Sequence, residues 1–390
     1  MELEAFFDAF KTIVDYIGNH INRLIRNNSG DIIKTINMLL EAKKTGHFVH
    51  IAGAGRSRIA GTIIGELLKN VGLRVSVIGE TLSKPVKKGD VVIAISSSGW
   101  TNTTLFAVEQ SIRLGAKIIG FTASVGSKLY RLADIIILLP GRSKPEELPY
   151  LVRQLMGKHK TPLTPMGTVS EFGALVIGLG LVNAIYHITQ DKEGDPIKLF
   201  KGPISRVLSE AELIFNKLRE SPFNVEKFLG IVMRARSENG KKLFISGLGL
   251  CERVSEMIAM RYQHLGLNVA PIEEWRFREN GDLLILISGS GENPIVLQYA
   301  REAKRSGMGL VGITANKTSQ LSELSDLSII FSDISIREDY VKLRVGEEKP
   351  IFIPLFELIA LLFLESTVAQ IAEVEQISEE TMRLLHANVE

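Results

Sequence analysis

The chain carries one sequence plan twice, and this duplication constrains its fold more than any other feature. Gly53-Ala54-Gly55 follows an apolar run in the first half, and Gly247-Leu248-Gly249 follows a similar run in the second half. Solenoid repeats have periods of roughly 20–50 residues, so an offset near 190 indicates two copies of a whole domain. Two further pairs keep nearly the same offset: the serine-rich stretches at 96–99 and 288–291, and the apolar helical segments that start at Glu171 and Glu357.

Each copy alternates short, β-branched apolar runs with amphipathic helical stretches. The runs are continuously apolar, as expected for parallel strands that helices cover on both faces. This alternation predicts right-handed βαβ units and an α/β sandwich. Residues 1–45 have helical spacing and are predicted to form two helices, separated at Asn28-Ser29-Gly30. Strands are predicted at 48–52, 74–78, 91–95, 117–121 and 135–139, and again at 243–246, 267–271, 283–287, 309–313 and 328–331.

A charged stretch divides the chain between the two copies. Residues 191–202 contain Gly194 and Pro196 among acidic and basic side chains, which is typical of a linker. We therefore expect a first domain at 1–190, which includes the N-terminal helices, and a second domain at 203–390.

Composition and charge exclude several classes of function. The formal net charge of +2 gives no electrostatic basis for binding nucleic acid or an anionic membrane. The single cysteine, Cys251, rules out an intrachain disulfide and is compatible with a reducing compartment. The acidic N-terminal segment lacks the pattern of a signal peptide. The long apolar runs at 172–185 and 351–364 fall short of the roughly 20 residues of a membrane-spanning helix. We therefore expect a cytoplasmic protein in which these runs are buried helices.

The serine-rich stretch of the first copy is the strongest candidate for a ligand-binding element. It leaves the apolar run at 91–95 and enters a predicted helix through Ser96-Ser97-Ser98-Gly99-Trp100-Thr101. A strand that ends at a helix N-terminus offers free N–H groups and a favourable dipole to an anion, and the small hydroxyl side chains add donors. A Ser/Thr-rich helix cap that binds no ligand is the alternative interpretation.

The glycine-rich stretch 53–58 is a second candidate for a ligand-binding loop. A Gly-x-Gly-x-x-Gly fingerprint after a strand would indicate a dinucleotide site. Here the third glycine position holds Arg58, and the second copy has Glu252 there. Glu80, after the second strand, could imitate the acid that binds the ribose of a dinucleotide. Because the third glycine is missing, the dinucleotide site is the weaker interpretation.

Four motifs together resemble those of a known family. They are Gly-Ala-Gly-Arg-Ser at 53–57, Val-Ile-Gly-Glu-Thr at 77–81, Ile-Ser-Ser-Ser-Gly-Trp-Thr at 95–101 and Pro-Met-Gly-Thr-Val-Ser-Glu at 165–171. The chain resembles two SIS (sugar isomerase) domains in tandem. The first copy is similar to 6-phospho-3-hexuloisomerases over about 30–190, and the second resembles SIS domains more loosely over 225–375. The resemblance implies two SIS domains, each a five-stranded parallel sheet flanked by helices in a flavodoxin-like three-layer sandwich.

The resemblance also implies an activity and a set of site residues. The family isomerises a six-carbon ketose 6-phosphate to fructose 6-phosphate without metal, nucleotide or other cofactor. Glu171 matches the family's base, which moves a carbon-bound proton through an enediolate. Burial would raise its pKa and the helix N-terminus would lower it, and a helix-capping carboxylate is the alternative role. Arg56 is a plausible neighbour, although an arginine near a helix start is more often solvated. The residues matched to phosphate binding are Ser57, Ser96, Ser98 and Thr101, with Gly55 and Gly99 in the two loops.

The second copy has lost some of these residues and keeps another. Leu250-Cys251 replaces Arg56-Ser57, and Asn293 replaces Thr101, with Pro294 following. Ser288, Ser290 and Glu357 remain as second-copy candidates. The family's first helix carries a Met-Arg-Leu-Met-His-Leu-Gly stretch, which the second copy matches as Met260-Arg261-Tyr262-Gln263-His264-Leu265-Gly266; the first copy has Asn70 at the histidine position. One hypothesis is a composite site, in which His264 serves Glu171. The alternative is that His264 is a core or interface residue of a structural copy.

Two classes of function remain open from the sequence. The leading one is a sugar-phosphate isomerase, and the alternative is a sugar-phosphate sensor or regulator without catalysis. Regulators of that kind usually carry a basic DNA-binding helix, and residues 1–45 lack a basic face. The expected partners are a phosphorylated sugar and further copies of the chain, in a homodimer or higher homo-oligomer formed through the SIS helices.

Overall fold

A computed structural model of the chain describes residues 2–141, 168–190, 194–237, 240–332, 353–378 and 381–382. Two five-stranded sheets, all of whose strand pairs are parallel, are each flanked by helices. This confirms the predicted fold class.

The first copy builds its sheet from five consecutive apolar runs, close to the predicted bounds. The strand order is β2-β1-β3-β4-β5. Open parallel sheets of this order bind ligands where the order reverses, outside the carboxyl ends of β1 and β3. The elements are α1 (Glu4–Thr45), β1 (Phe48–Gly53), α2 (Gly55–Asn70), β2 (Arg74–Val77), β3 (Val91–Ile95), α3 (Asn102–Arg113), β4 (Lys117–Thr122), α4 (Lys128–Leu132), β5 (Ile135–Leu138) and α5 (Thr168–Thr189).

The second copy repeats this arrangement strand for strand. Its sheet has the order β7-β6-β8-β9-β10, so β6 and β8 flank the reversal as β1 and β3 do in the first copy. The elements are α6 (Pro196–Glu220), α7 (Phe223–Ser237), β6 (Leu243–Gly247), α8 (Leu250–His264), β7 (Val269–Ala270), a 3₁₀ helix (Ile272–Phe277), β8 (Leu283–Ile287), α9 (Pro294–Arg305), β9 (Gly309–Thr314), α10 (Gln320–Leu324), β10 (Leu327–Ile330) and α11 (Leu355–Val374).

The N-terminal helix is longer than the sequence predicts. The expected break at 28–30 is a kink within α1, where Asn28 has φ −132° and ψ 25°, and the helix continues to Thr45. Gly46 then ends it in the left-handed conformation, with φ 74°. The apolar stripe of α1 therefore runs along the whole helix and is available for packing.

Helix α6 begins at Pro196, inside the stretch 191–202 that the sequence predicts as a linker. The side chain of Asp195 caps the helix by accepting a hydrogen bond from the N–H of Ile197. Proline suits the first helical position, because the N–H that it lacks would have no partner within the helix there. The part of the predicted linker from Pro196 onward is therefore helical.

The two copies share one hydrophobic core. Helix α1 of the first copy packs against α11 of the second, with the rings of Phe6 and Phe363 5.6 Å apart in an edge-to-face contact. The side chain of Gln370 accepts a hydrogen bond from the N–H of Phe6 over 3.0 Å. Helices α2 and α8 also meet across the boundary, where Arg253 Nε lies 3.6 Å from Glu66 Oε1.

Helices α5 and α11 are the two long apolar runs of the sequence. By length and composition alone, both helices could cross a membrane. However, 78% of the most apolar segment of α5 and 100% of that of α11 are buried inside the protein. A helix that is apolar on all sides is typical of a protein centre. The two helices close their domains and carry Glu171 and Glu357 in their first turns.

Candidate functional site

The two predicted binding loops of the first copy lie side by side at the reversal of its sheet. The last residue of β1, Gly53, pairs with Ile95, the last residue of β3. The glycine loop and the serine loop therefore leave the sheet next to each other, and Ser57 lies in the first turn of α2. This is the edge at which sheets of this order bind ligands.

The serine loop is held in a tight turn by its own hydroxyl groups. Ser96 Oγ accepts a hydrogen bond from the N–H of Gly99 over 3.0 Å and lies 3.0 Å from Thr101 Oγ1. Ser98 Oγ accepts one from the N–H of Trp100 over 3.2 Å. Gly99 has φ +69°, and a Cβ there would come within 2.1 Å of Ser127 Oγ, so the turn requires glycine.

The N-termini of the helices that follow the serine loops differ between the copies. Thr101 is the N-cap of α3, but no side chain in the described part of the chain caps its first N–H groups, because the Thr101 hydroxyl points to Ser96. In α9, Asn293 Oδ1 accepts from the N–H groups of Ile295 and Val296, and Pro294 has no N–H. The donors that an anion needs are thus available in the first copy and occupied in the second.

Glu171 lies at the same edge, in the first turn of α5, and is only 7% exposed. Its Oε2 accepts a hydrogen bond from Arg56 Nε over 2.6 Å and lies 3.4 Å from Arg261 Nη2. The other oxygen, Oε1, takes no hydrogen bond within the residues that the structure describes. The serine loop touches this helix directly, since Ser97 donates to the hydroxyl of Ser170 over 2.8 Å.

Arg56 and Glu171 belong to a buried group of four charges, which we call the interdomain charge cluster: Arg56 and Glu171 of the first copy, Arg261 and Glu365 of the second. Arg56 Nη2 donates to Glu365 Oε1, and Arg261 Nε lies 3.8 Å from Glu365 Oε2. Two guanidinium groups therefore face two carboxylates. A buried charge is tolerated only when it is paired and hydrogen-bonded, and the cluster satisfies this condition across the domain boundary.

Neutral groups add further hydrogen bonds to the cluster. Thr168 donates to Glu365 Oε2 over 2.9 Å and accepts from Arg261 Nη2 over 3.1 Å. Arg56 Nη1 donates to the carbonyl of Met257 in α8 over 2.7 Å. The expectation that Arg56 is solvated was therefore wrong: its side chain is buried because α8 and α11 of the second copy cover it.

The sequence did not identify Glu365 or Thr168 as site residues. The available signal for Glu365 was a carboxylate in the interior of an apolar helical run, which is costly without a cation. His264 is buried on α8, one helical turn beyond Arg261. Helix α8 reaches Glu171 through Arg261, and the role of His264 in a composite site stays a prediction. Residues 165–167 of the predicted family block lie outside the described residues.

The second copy has a different environment around the equivalent glutamate. Glu357 is buried in the first turn of α11, and the Cys251 thiol donates to its Oε1 over 3.7 Å. Burial raises the pKa of Glu357 from its ordinary 4.5 to about 7, while its own N–H and the thiol oppose the shift. Burial, assisted by Glu357, also raises the pKa of the Cys251 thiol. Glu357 therefore changes its protonation state near neutral pH.

The raised pKa of Glu357 predicts a pH-dependent stability. Folded Glu357 holds its proton more tightly than the unfolded chain, so this contribution to stability is complete below pH 4.5 and is lost as pH rises through about 7. We expect wild type to lose about 3 kcal/mol relative to Glu357→Gln across that window. Urea unfolding of both proteins from about pH 4.5 to 8 measures it, and a constant difference would contradict the assignment.

A cavity of about 230 Å³ lies between the two loops of the second copy. Its polar walls come from Glu357, Ser288, Ser290 and Asn293, and Cys251 also lines it. The serine loop keeps the geometry of its counterpart, since Ser288 Oγ accepts from the N–H of Gly291 over 3.2 Å and Ser290 Oγ from that of Glu292. The second-copy candidates predicted from the sequence are thus brought together around one cavity.

Both glycine and serine loops lie within segments that match one family. A model of the SIS domain matches residues 47–153 and 238–333. The chain belongs to the SIS domain family. The duplication is therefore a pair of SIS domains, each with its loops at the carboxyl edge of its sheet.

Relatives of the first SIS domain include isomerases. The N-terminal half is similar to 3-hexulose-6-phosphate isomerase of Methylomonas aminofaciens, at 30% identity over 46% of this chain and 97% of the relative. It is also similar to 3-hexulose-6-phosphate isomerase of Methanocaldococcus jannaschii, at 32% identity over 38% of this chain and 77% of the relative.

Solved structures match both SIS domains at once. Tagatose-6-phosphate ketose/aldose isomerase of Escherichia coli superimposes with a TM-score of 0.60 and 15% identity, over 99% of this chain and 96% of that one. The C-terminal domain of glucosamine-fructose-6-phosphate aminotransferase of Francisella tularensis gives 0.54 and 16%, over 92% and 96%. At such low identity these likenesses establish the fold of the tandem SIS domains alone.

Proposed function

We propose that this chain is a sugar-phosphate isomerase that works through an enediolate and interconverts 3-hexulose 6-phosphate and fructose 6-phosphate. The observation that carries the proposal is the contact between the serine loop and α5. The hydrogen bond from Ser97 to Ser170 places the serine loop next to the first turn of α5, where the next residue, Glu171, is a buried carboxylate. The isomerases related to the first SIS domain support the choice of reaction.

The substrate phosphate binds to the serine loop and the N-terminus of α3. The first N–H groups of α3 point out of the helix, and the hydroxyls of Ser57, Ser96, Ser98 and Thr101 add further donors. Together they supply donors and a favourable dipole without a bulky side chain. Gly55 and Gly99 let the backbone of the two loops approach the phosphate closely.

Glu171 then moves the carbon-bound proton. Its Oε1 removes the proton from C2 of the 3-hexulose, the electrons form an enediolate across C2 and C3, and the same oxygen returns the proton to C3. A proton leaves the C2 oxygen and one reaches the C3 oxygen. Buried His264 of the second SIS domain serves this exchange, because imidazole can carry a proton near neutral pH.

The two arginines of the interdomain charge cluster support Glu171 during these steps. Both contact Oε2, so they fix the carboxylate and leave Oε1 to face the substrate. Their positive charge also favours the enediolate, which develops negative charge beside them. The site is composite, because Arg261 and His264 come from one SIS domain and Glu171 from the other.

The helix cap gives a direct test of the phosphate site. Thr101 and Asn293 have nearly the same backbone angles, so Thr101→Asn can cap α3 as Asn293 caps α9. The amide would occupy the N–H groups that phosphate uses and remove one hydroxyl. We expect KM for fructose 6-phosphate to rise about tenfold, or about 1.4 kcal/mol, with an unchanged melting temperature.

The reciprocal substitution, Asn293→Thr, is the matched control and should leave KM unchanged. The assay incubates the protein with fructose 6-phosphate and detects a 3-hexulose or aldose phosphate by chromatography. Stabilisation by fructose 6-phosphate without turnover would favour the alternative function, a sugar-phosphate sensor. An unchanged KM in Thr101→Asn would show that the N-terminus of α3 does not bind the phosphate.

A further inference from the structure

The cavity of the second SIS domain has both polar and apolar walls. It lies between the glycine and serine loops of that domain, and its volume of about 230 Å³ is below the roughly 300–1,000 Å³ of sites for drug-sized molecules. A molecule of about the size of a monosaccharide fits this volume. Leu250, Ile287 and Val296 form its apolar walls.

The cavity is unsuited to a phosphate group. The Asn293 side chain already occupies the N–H groups of Ile295 and Val296, and Pro294 contributes none. Within the described part of the chain, no lysine or arginine lines the cavity. Without these donors and without a cation, a dianion would lose its hydration and gain little in return.

The polar groups of the cavity instead match hydroxyl groups. Glu357 is 6% exposed and faces the cavity, and its contacts within the described residues are the Cys251 thiol and its own N–H. These neutral partners leave hydrogen-bonding capacity on the carboxyl group, which a buried group normally uses. Ser288 and Ser290 place two more hydroxyls on the opposite loop.

We infer that the second SIS domain binds a small, uncharged, hydroxyl-rich molecule, a sugar or polyol without phosphate, in the cavity at Glu357. Hydroxyl groups of the ligand donate to or accept from the Glu357 carboxyl, and the carbon face of the ligand packs on the apolar walls. This site is independent of the proposed isomerase reaction, and its occupancy is measured without any assay of turnover.

Occupancy of the cavity can be measured through the chemical modification of Cys251, because this residue lines the cavity and is the single cysteine of the chain. The intact protein is treated with excess methyl methanethiosulfonate at about pH 9, because the raised pKa of the buried Cys251 thiol leaves little reactive thiolate at neutral pH. Modification is followed by mass spectrometry in the presence of D-fructose, D-sorbitol or inorganic phosphate. We expect fructose or sorbitol to slow the reaction saturably, by about tenfold when its concentration is ten times Kd. Inorganic phosphate and the excluded osmolyte trimethylamine N-oxide should give no protection.

Variants separate this site from the phosphate site of the first SIS domain. Glu357→Leu removes the carboxyl group and should abolish the protection. Val296→Phe fills the cavity and should also abolish it, and this variant provides the test if Glu357→Leu does not fold. Thr101→Asn is the matched control and should leave the protection unchanged. The inference is overturned if neither sugar nor polyol protects Cys251, if phosphate protects it equally, or if protection survives both cavity variants.

Discussion

Glu171→Gln is expected to lower kcat for isomerisation of fructose 6-phosphate by about a thousandfold. The amide keeps the shape of the side chain but cannot take a proton from carbon, and positioned general bases contribute roughly 10²–10⁴-fold. The phosphate loop is untouched, so KM should change by less than about threefold, because the two effects belong to different groups of the site. Steady-state kinetics on purified wild type and variant measure both constants.

Two further variants separate catalysis by Glu171 from its structural role in the interdomain charge cluster. Glu171→Asp keeps the negative charge of the cluster but withdraws the carboxylate by one methylene, so it should also lose most of kcat while remaining more stable than Glu171→Gln. His264→Ala tests the composite site and should lower kcat with little change in KM. Full activity in the Glu171 variants would show that Glu171 is not the base. Full activity in His264→Ala would show that His264 does not carry a proton in the reaction.

Glu365→Gln is expected to destabilise the folded protein by about 3–5 kcal/mol, the usual result of removing one partner from a buried ion pair. Arg56 and Arg261 would then share the single carboxylate of Glu171 in an interior that excludes water. Urea unfolding at neutral pH measures the free energy of unfolding. Glu373→Gln, an exposed carboxylate on the same helix, is the matched control and should stay within about 0.5 kcal/mol of wild type.

A double-mutant cycle shows whether the loss comes from the pairing itself. Arg56→Met removes the guanidinium and keeps the buried hydrocarbon stem. If the two residues stabilise each other, the double variant Arg56→Met with Glu365→Gln should be more stable than the sum of the single losses predicts, by at least about 1 kcal/mol. Strict additivity would mean that the contact between Arg56 and Glu365 contributes nothing of its own.

The fold could be predicted because its signals are local. The strand at 91–95 is a continuous apolar run, and the structure places β3 at Val91–Ile95. The edge strand at 267–271 was predicted too long: β7 is only Val269–Ala270, because β6 pairs with it at just those two residues. Strand ends at a sheet edge depend on the neighbour, which periodicity does not contain.

The loops could be predicted from the sequence, but the charge cluster could not. The serine and glycine loops are local strand-to-helix connections, so their positions follow from the strand pattern. The contact of Arg56 with Glu365 joins residues 309 positions apart, and that with Glu171 joins residues 115 apart. Only the packing of α8 and α11 against the first SIS domain turns an apparently solvated arginine into a buried one.

The pairing of α1 with α11 has a consequence for how the chain matures on the ribosome. Phe6 is held by Phe363 and Gln370, so α1 packs against a helix that is made much later, with Phe6 and Gln370 364 positions apart along the chain. At roughly 5–20 residues per second, the part of α1 around Phe6 waits tens of seconds for α11 to be synthesised. The first half therefore emerges with an exposed apolar surface around Phe6 that needs shielding, by transient contacts or by a chaperone, until α11 is made. Cutting the gene between the duplicated halves should accordingly yield two insoluble products rather than two working domains.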